Sequence, residues 1–115
     1  MSDVTIWHNP RCTKSRETLA LLEARGIAPS VRKYLEDAPT EEEIRAALAA
    51  LGLPAIDAMR TKEAEFKAAG LTRDTDEATL IAAMAQTPKL IERPIVFANG
   101  TARLGRPPEQ VLEIL

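Results

Sequence analysis

The sequence predicts an α/β fold: a mixed four-stranded sheet with flanking helices, and an all-helical insert between a βαβ half and a ββα half. Three observations predict it. Residues 4–36 run strand, helix, strand, an order that usually gives a parallel pair joined by a crossover helix. Residues 94–105 hold Asn99-Gly100 between two apolar-rich runs, the strongest short-range hairpin signal. Between these, from about 40 to 88, the pattern is helical.

The elements follow in order. "VTIWH" (4–8) has β-branched and aromatic residues and then meets Asn-Pro, so it reads as a strand closed by a turn. "SRETLALLEARG" (15–26) carries Leu19, Leu21 and Leu22 and closes on Gly26, where a C′ glycine belongs. "SVRKYLE" (30–36) alternates, with Val31, Lys33 and Leu35 on one side and Arg32 and Tyr34 on the other. "TEEE" (40–43) is a capping box whose acids also suit the helix dipole. Ile44, Leu48 and Leu51 follow at helical spacing, and Gly52 ends that helix. Residues 53–71 read as short helices after Pro54, ending near Gly70, and 76–88 as a helix with Leu80, Ile81 and Met84 on one face, stopped by Pro88. This insert is expected to pack beside the sheet within a single domain spanning 1–115. After the hairpin, "RPPEQVLEIL" (106–115) reads as a final helix with Val111, Leu112 and Leu115 as its core face. The whole order matches the thioredoxin-like layout, in which Pro94 of "ERP" takes the place of a cis-proline.

Composition narrows the function. With 115 residues, 45% of them hydrophobic, the chain has enough for one packed core. Its net charge of −2 gives no bulk attraction for nucleic acid. A single cysteine forms no internal disulfide, which fits a reducing, cytoplasmic setting. The N-terminal stretch has no leader pattern, and no apolar run approaches a membrane span. One Cys and one His cannot fill a structural zinc site, so no metal is expected. Nothing demands more than a monomer.

That cysteine sits in "WHNPRCTKSR" (7–16). Cys12 lies at the turn into the first helix, where backbone amides lack partners and carry partial positive charge. Arg11, Lys14, Arg16 and His8 surround it in sequence. Such a setting lowers a thiol's pKa and makes it a nucleophile beside an anion site. The plainer reading is a buried small hydrophobe, which these polar and cationic neighbours oppose. Position 15, where a Cys-x-x-Cys enzyme keeps its resolving thiol, holds Ser15. An outside thiol must therefore resolve any adduct, while Ser15 can donate a hydrogen bond to the thiolate. In the thioredoxin-like layout the loop before the hairpin faces the first strand-to-helix turn, so Arg93 can face Cys12. Arginine's fork suits tetrahedral oxyanions.

The motifs H-N-P-x-C-x-x-S-R and R-P-I-V…R-x-G-R-P-P-E, at this separation, resemble those of the glutaredoxin-dependent arsenate reductases, the ArsC family, over the full length. The resemblance implies a cysteine, here Cys12, that attacks arsenate to form a cysteine–arsenic adduct. Glutathione, a co-substrate and not a bound cofactor, then attacks, glutaredoxin reduces the mixed species, and arsenite leaves. It implies that Arg60, Arg93 and Arg106 bind arsenate and stabilise arsenite, that His8 favours the thiolate, and that Ser15 is the hydroxyl following the cysteine. Thr13 and Lys14 depart from the Gly-Thr of well-studied members: Thr13 is expected to restrict the backbone near the anion, and Lys14 to add charge and bulk. Two other readings stay open. One is a different glutathione-linked thiol reductase on this scaffold. The other is a regulator resembling Spx, which binds RNA polymerase through the same fold but carries a Cys-x-x-Cys switch.

Overall fold

The computed structural model describes residues 3–115. The chain forms two compact units, one of residues up to Asp37 with Arg93–Leu115, the other Ala38–Glu92. The N-terminal stretch read above includes residues 1–2, which lie outside the described residues.

The first unit holds the sheet. Strands β1 (Thr5–Trp7), β2 (Ser30–Arg32), β3 (Ile95–Ala98) and β4 (Thr101–Leu104) lie in the order β2-β1-β3-β4. β1 runs parallel to β2 and antiparallel to β3, and β3 runs antiparallel to β4. This is the thioredoxin-like arrangement expected from the sequence. Alternation puts Ile6, Val96 and Ala98 on one face, where they pack with Leu22 of α1 (Thr13–Ala24) and with Val111 and Ile114 near the C-terminus. Each fully buried aliphatic there contributes about 1.5–3 kcal/mol. On the other face Trp7 and Phe97 meet at 5.1 Å with planes tilted 56°, and the Arg32 guanidinium lies 5.6 Å over the Trp7 ring.

Local chemistry closes each element. α1 ends in a Schellman motif: Gly26 N–H donates to Glu23 and Ile27 N–H to Leu22, 3.0 Å each. The hairpin turns at Asn99 (φ 54°) and Gly100 (φ 76°), the pair of positive φ angles that a type I′ turn requires. Both Arg93–Pro94 and Arg106–Pro107 are cis. The first was expected from the fold, the second was not.

Two sequence expectations are corrected. The second strand was expected over 30–36, but β2 stops at Arg32. Its last ladder bond is His8 N–H to Arg32 O, and the chain then turns as Glu36 and Asp37 N–H both donate to Lys33 O. Arg32 fastens that turn by donating to the Asp37 carbonyl and pairing with its carboxylate at 3.2 Å. The turn buries Tyr34 (1% exposed) and leaves Val31 and Leu35 outside (46% and 44%). The final helix is a 3₁₀ segment, Pro108–Ile114. At 3.0 residues per turn in place of 3.6, every third residue lines up, so Pro108, Val111 and Ile114 are buried while Leu115 is exposed. The expected face of Val111, Leu112 and Leu115 assumed the wrong period.

The second unit closely follows the expected insert. α2 (Glu41–Leu51) opens with the capping box: Thr40 Oγ1 accepts from Glu43 N–H at 3.1 Å, and Glu43 Oε1 from Thr40 N–H at 2.9 Å. Such a cap contributes about 1 kcal/mol. A 3₁₀ turn (Ala55–Ala58) and α3 (Ala64–Ala68) follow, then α4 (Glu77–Gln86), capped by Asp76 and packed on α2. Leu80, Ile81 and Met84 are its buried face, as the periodicity predicts. Pro88 opens a further 3₁₀ turn, Pro88–Leu90. No helix among the described residues is long and apolar enough to cross a membrane.

Candidate active site

α1 begins at Thr13, two residues earlier than expected, which makes Cys12 its N-cap in extended conformation (φ −96°, ψ 124°). A side chain at that position looks onto the N–H groups two and three residues on, here those of Lys14 and Ser15. No capping hydrogen bond closes onto Sγ, yet those amides direct positive charge at the sulfur. Burial pushes the Cys12 thiol up. The Ser15 N–H, the charge and a side-chain hydrogen bond of Arg93, and the Lys14 N–H outweigh it and hold the thiol below its ordinary value. Cys12 is half-buried, so the sulfur stays within reach of a small reactant.

The loop leading to Cys12 is fastened at several points. Cys12 N–H donates to Asn9 O and Arg11 N–H to Asn9 Oδ1, 3.0 Å each. The Arg16 guanidinium donates to Pro10 O at 3.0 Å and Thr13 Oγ1 at 3.3 Å. Lys14 Nζ lies 3.8 Å from Glu17 in an exposed pair. The basic cluster read from the sequence therefore serves the loop and the helix surface. The cation acting on the sulfur is Arg93, which comes from the other end of the chain. Thr13 sits in the first helical turn. Asn99 is the only non-glycine among the described residues with positive φ, so Thr13 stands in backbone that a β-branched residue adopts.

His8 and Ser15 form a buried pair. His8 Nδ1 lies 2.6 Å from Ser15 Oγ, and Asn9 N–H donates to the same oxygen at 3.0 Å. Burial, then the charges of Lys33 and Arg16, push His8 below its ordinary 6.5, so it is neutral at pH 7. The neutral ring of His8 and the Asn9 N–H engage the hydroxyl of Ser15, while the Ser15 amide acts on the sulfur.

The remaining arginines fall in two places. Arg106 Nη1 donates to the Arg93 carbonyl at 3.4 Å, which links the two cis X–Pro segments. Arg60 lies in the helical unit, where its N–H donates to Leu90 O at 2.8 Å beside the Met59–Ile91 bridge and its guanidinium pairs with Glu63. The structure thus brings Cys12, His8, Ser15 and Arg93 together and joins Arg106 to Arg93.

Sequence reading missed Gly105. Its N–H donates to Pro94 O at 2.9 Å. A Cβ there would stand 2.5 Å from Thr18 Oγ1 and 2.7 Å from Pro94 Cγ. Only a residue without a side chain lets the end of β4 pass between α1 and Pro94. The signal was present as the glycine directly before "RPP". Among the described residues no cluster of three His, Cys, Asp or Glu side chains could hold a metal ion. What the site offers is a half-buried thiol whose ionised form is favoured by helix amides and a guanidinium, suited to attack an electrophile that carries anionic oxygens.

Known proteins resemble this chain over nearly its whole length. Residues 7–114 match the model of the ArsC family. The chain is 46% identical to an arsenate reductase of Neisseria meningitidis over the whole of both chains. It is 53% identical to the uncharacterized protein YfgD of Escherichia coli over 97% of this chain and 96% of that one. A solved arsenate reductase from Vibrio cholerae superposes with a TM-score of 0.94 at 58% identity, covering 97% of each chain.

Proposed function

Because this chain belongs to the ArsC family, we propose that it reduces arsenate to arsenite through Cys12, with glutathione and glutaredoxin as the source of electrons. The observation that carries the reading is the Cys12 thiol at the N-terminus of α1, held below its ordinary pKa by the Ser15 and Lys14 amides and by Arg93. Arsenate is a dianion near neutral pH, and a thiolate approaching it is repelled unless cations offset both charges. Arg93 meets the sulfur, and the forks of Arg106 and Arg60 suit the arsenate oxygens.

The steps balance as follows. Cys12 Sγ attacks arsenic, an As–O bond breaks, and the oxygen leaves as water. Glutathione thiolate displaces a second oxygen. A glutaredoxin thiolate then attacks the glutathione sulfur; the S–As electron pair passes to arsenic, which becomes As(III), and a glutaredoxin–glutathione disulfide forms. Water replaces Cys12 Sγ, and arsenite leaves. Ser15 has no thiol with which to resolve the adduct internally, which supports an external thiol.

The test is arsenite production by the purified protein with glutathione and glutaredoxin, run beside Cys12→Ser. The expected result is turnover that Cys12→Ser abolishes and that thioredoxin alone does not support. No arsenite, or equal arsenite from the variant, overturns the reading.

A further inference from the structure

Beside the Cys12 loop, residues 8–11 and 33–36 enclose an open groove of about 350 Å³, with His8 in its wall, within the size range of small-ligand sites. Three charged side chains line it: Arg11, Lys33 and Glu36. Other charges in this unit are paired, among them Lys14–Glu17, Arg32–Asp37 and Arg103–Glu113. Among the described residues no ion pair is made by Arg11, Lys33 or Glu36, so two cations and one carboxylate line the same concavity. Leu35, 44% exposed, adds an apolar patch. Lys33 is close enough to act on His8 electrostatically, and Arg11 directly precedes Cys12.

We propose that this groove seats glutathione, Arg11 and Lys33 taking its two carboxylates and Glu36 its ammonium. The charge pattern selects the occupant. Glutathione carries two carboxylates and one ammonium, the inverse of the groove. A bare oxyanion meets Glu36 as a repulsive element, which counts against a second arsenate site. A whole protein partner needs roughly 800 Å² on each side, far more than seven lining residues provide. The backbone of the tripeptide lies along Leu35, and its thiol is presented from the side of the loop that ends in Cys12. This assignment rests on glutathione being the electron source proposed above.

The test uses S-methylglutathione, which has the charges but no thiol, titrated into the full chain and followed by amide NMR. The expected shifts fall on Arg11, Lys33, Leu35 and Glu36. Arg11→Ala and Lys33→Ala each weaken binding about three- to tenfold. The glycyl monoethyl ester binds wild type more weakly by a similar factor, and its loss is not additive with one of the two alanine variants. Shifts elsewhere, or affinities unchanged in both variants, overturn the groove assignment. Turnover separates the two ideas. If glutathione supports arsenite production but its KM is the same in Arg11→Ala and Lys33→Ala, the groove fails and the reaction stands. If S-methylglutathione binds as described but no arsenite forms, the groove stands and the reaction fails.

Discussion

His8 Nδ1 lies 2.6 Å from Ser15 Oγ, and both residues are buried. The hydroxyl is engaged by His8 and Asn9, and what Ser15 gives Cys12 is its backbone amide. Ser15→Ala keeps that amide and removes the partner of the buried His8 Nδ1 and of the part-buried Asn9 N–H. The expected cost is about 1–3 kcal/mol of stability, with the pH midpoint of Cys12 alkylation nearly unmoved. A midpoint raised by a full unit at unchanged stability would show that the hydroxyl faces the thiolate after all.

Arg93→Ala removes both the charge and the hydrogen bond that oppose burial of the sulfur. Titration of the thiolate by its ultraviolet absorbance should place Cys12 higher than in wild type. Arg93→Lys should recover part of the shift, since it keeps the charge and loses the fork. Equal titration curves for wild type and Arg93→Ala rule the pairing out.

Stability should fall on acidification, and the sign follows from His8. Its folded pKa is pushed below 6.5 by burial, Lys33 and Arg16. As pH drops through 6.5 the unfolded chain takes up a proton that the folded chain refuses, so the unfolded state gains. Cys12, also depressed when folded, acts in the same direction at higher pH. Denaturant unfolding between about pH 7 and 5 should show a decline that is shallower in His8→Gln. Parallel curves would mean that His8 does not titrate as its surroundings require.

Gly105→Ala drives a methyl group against Thr18 Oγ1 and the Pro94 ring. Overpacking of this kind costs about 1–3 kcal/mol. Because Pro94 follows Arg93, displacement should also raise the Cys12 pKa. Adding Thr18→Ala removes the nearer of the two contacts and should restore part of both quantities. A Gly105→Ala protein with wild-type stability and thiol titration would show that the close approach constrains nothing.

How much of this could be read in advance depended on how local the cause was. The Thr40–Glu43 capping box and the Asn99-Gly100 turn are specified by adjacent residues, and both formed as expected. The last helix failed because Pro108, Val111 and Ile114 follow a three-residue period that a 3.6-residue template cannot find. The strand beginning at Ser30 failed because the turn that ends it depends on Arg32 reaching Asp37. At the site, Cys12 and Arg93 were both legible as types, and their meeting follows from β1 lying beside β3. The choice between the hydroxyl and the amide of Ser15 turned on Cys12 being the N-cap itself. A helix boundary misplaced by two residues hides that.

The order β2-β1-β3-β4 carries a consequence for how the enzyme comes into being. Cys12 and both strands of the parallel pair leave the ribosome early, but β3 and Arg93 follow only after the whole helical unit. Until then the nascent chain has a helix-capping thiol without its guanidinium. The cysteine gains its full reactivity only when the sheet closes around β1, so an unfinished chain exposes an ordinary thiol to its surroundings and a finished one exposes a nucleophile.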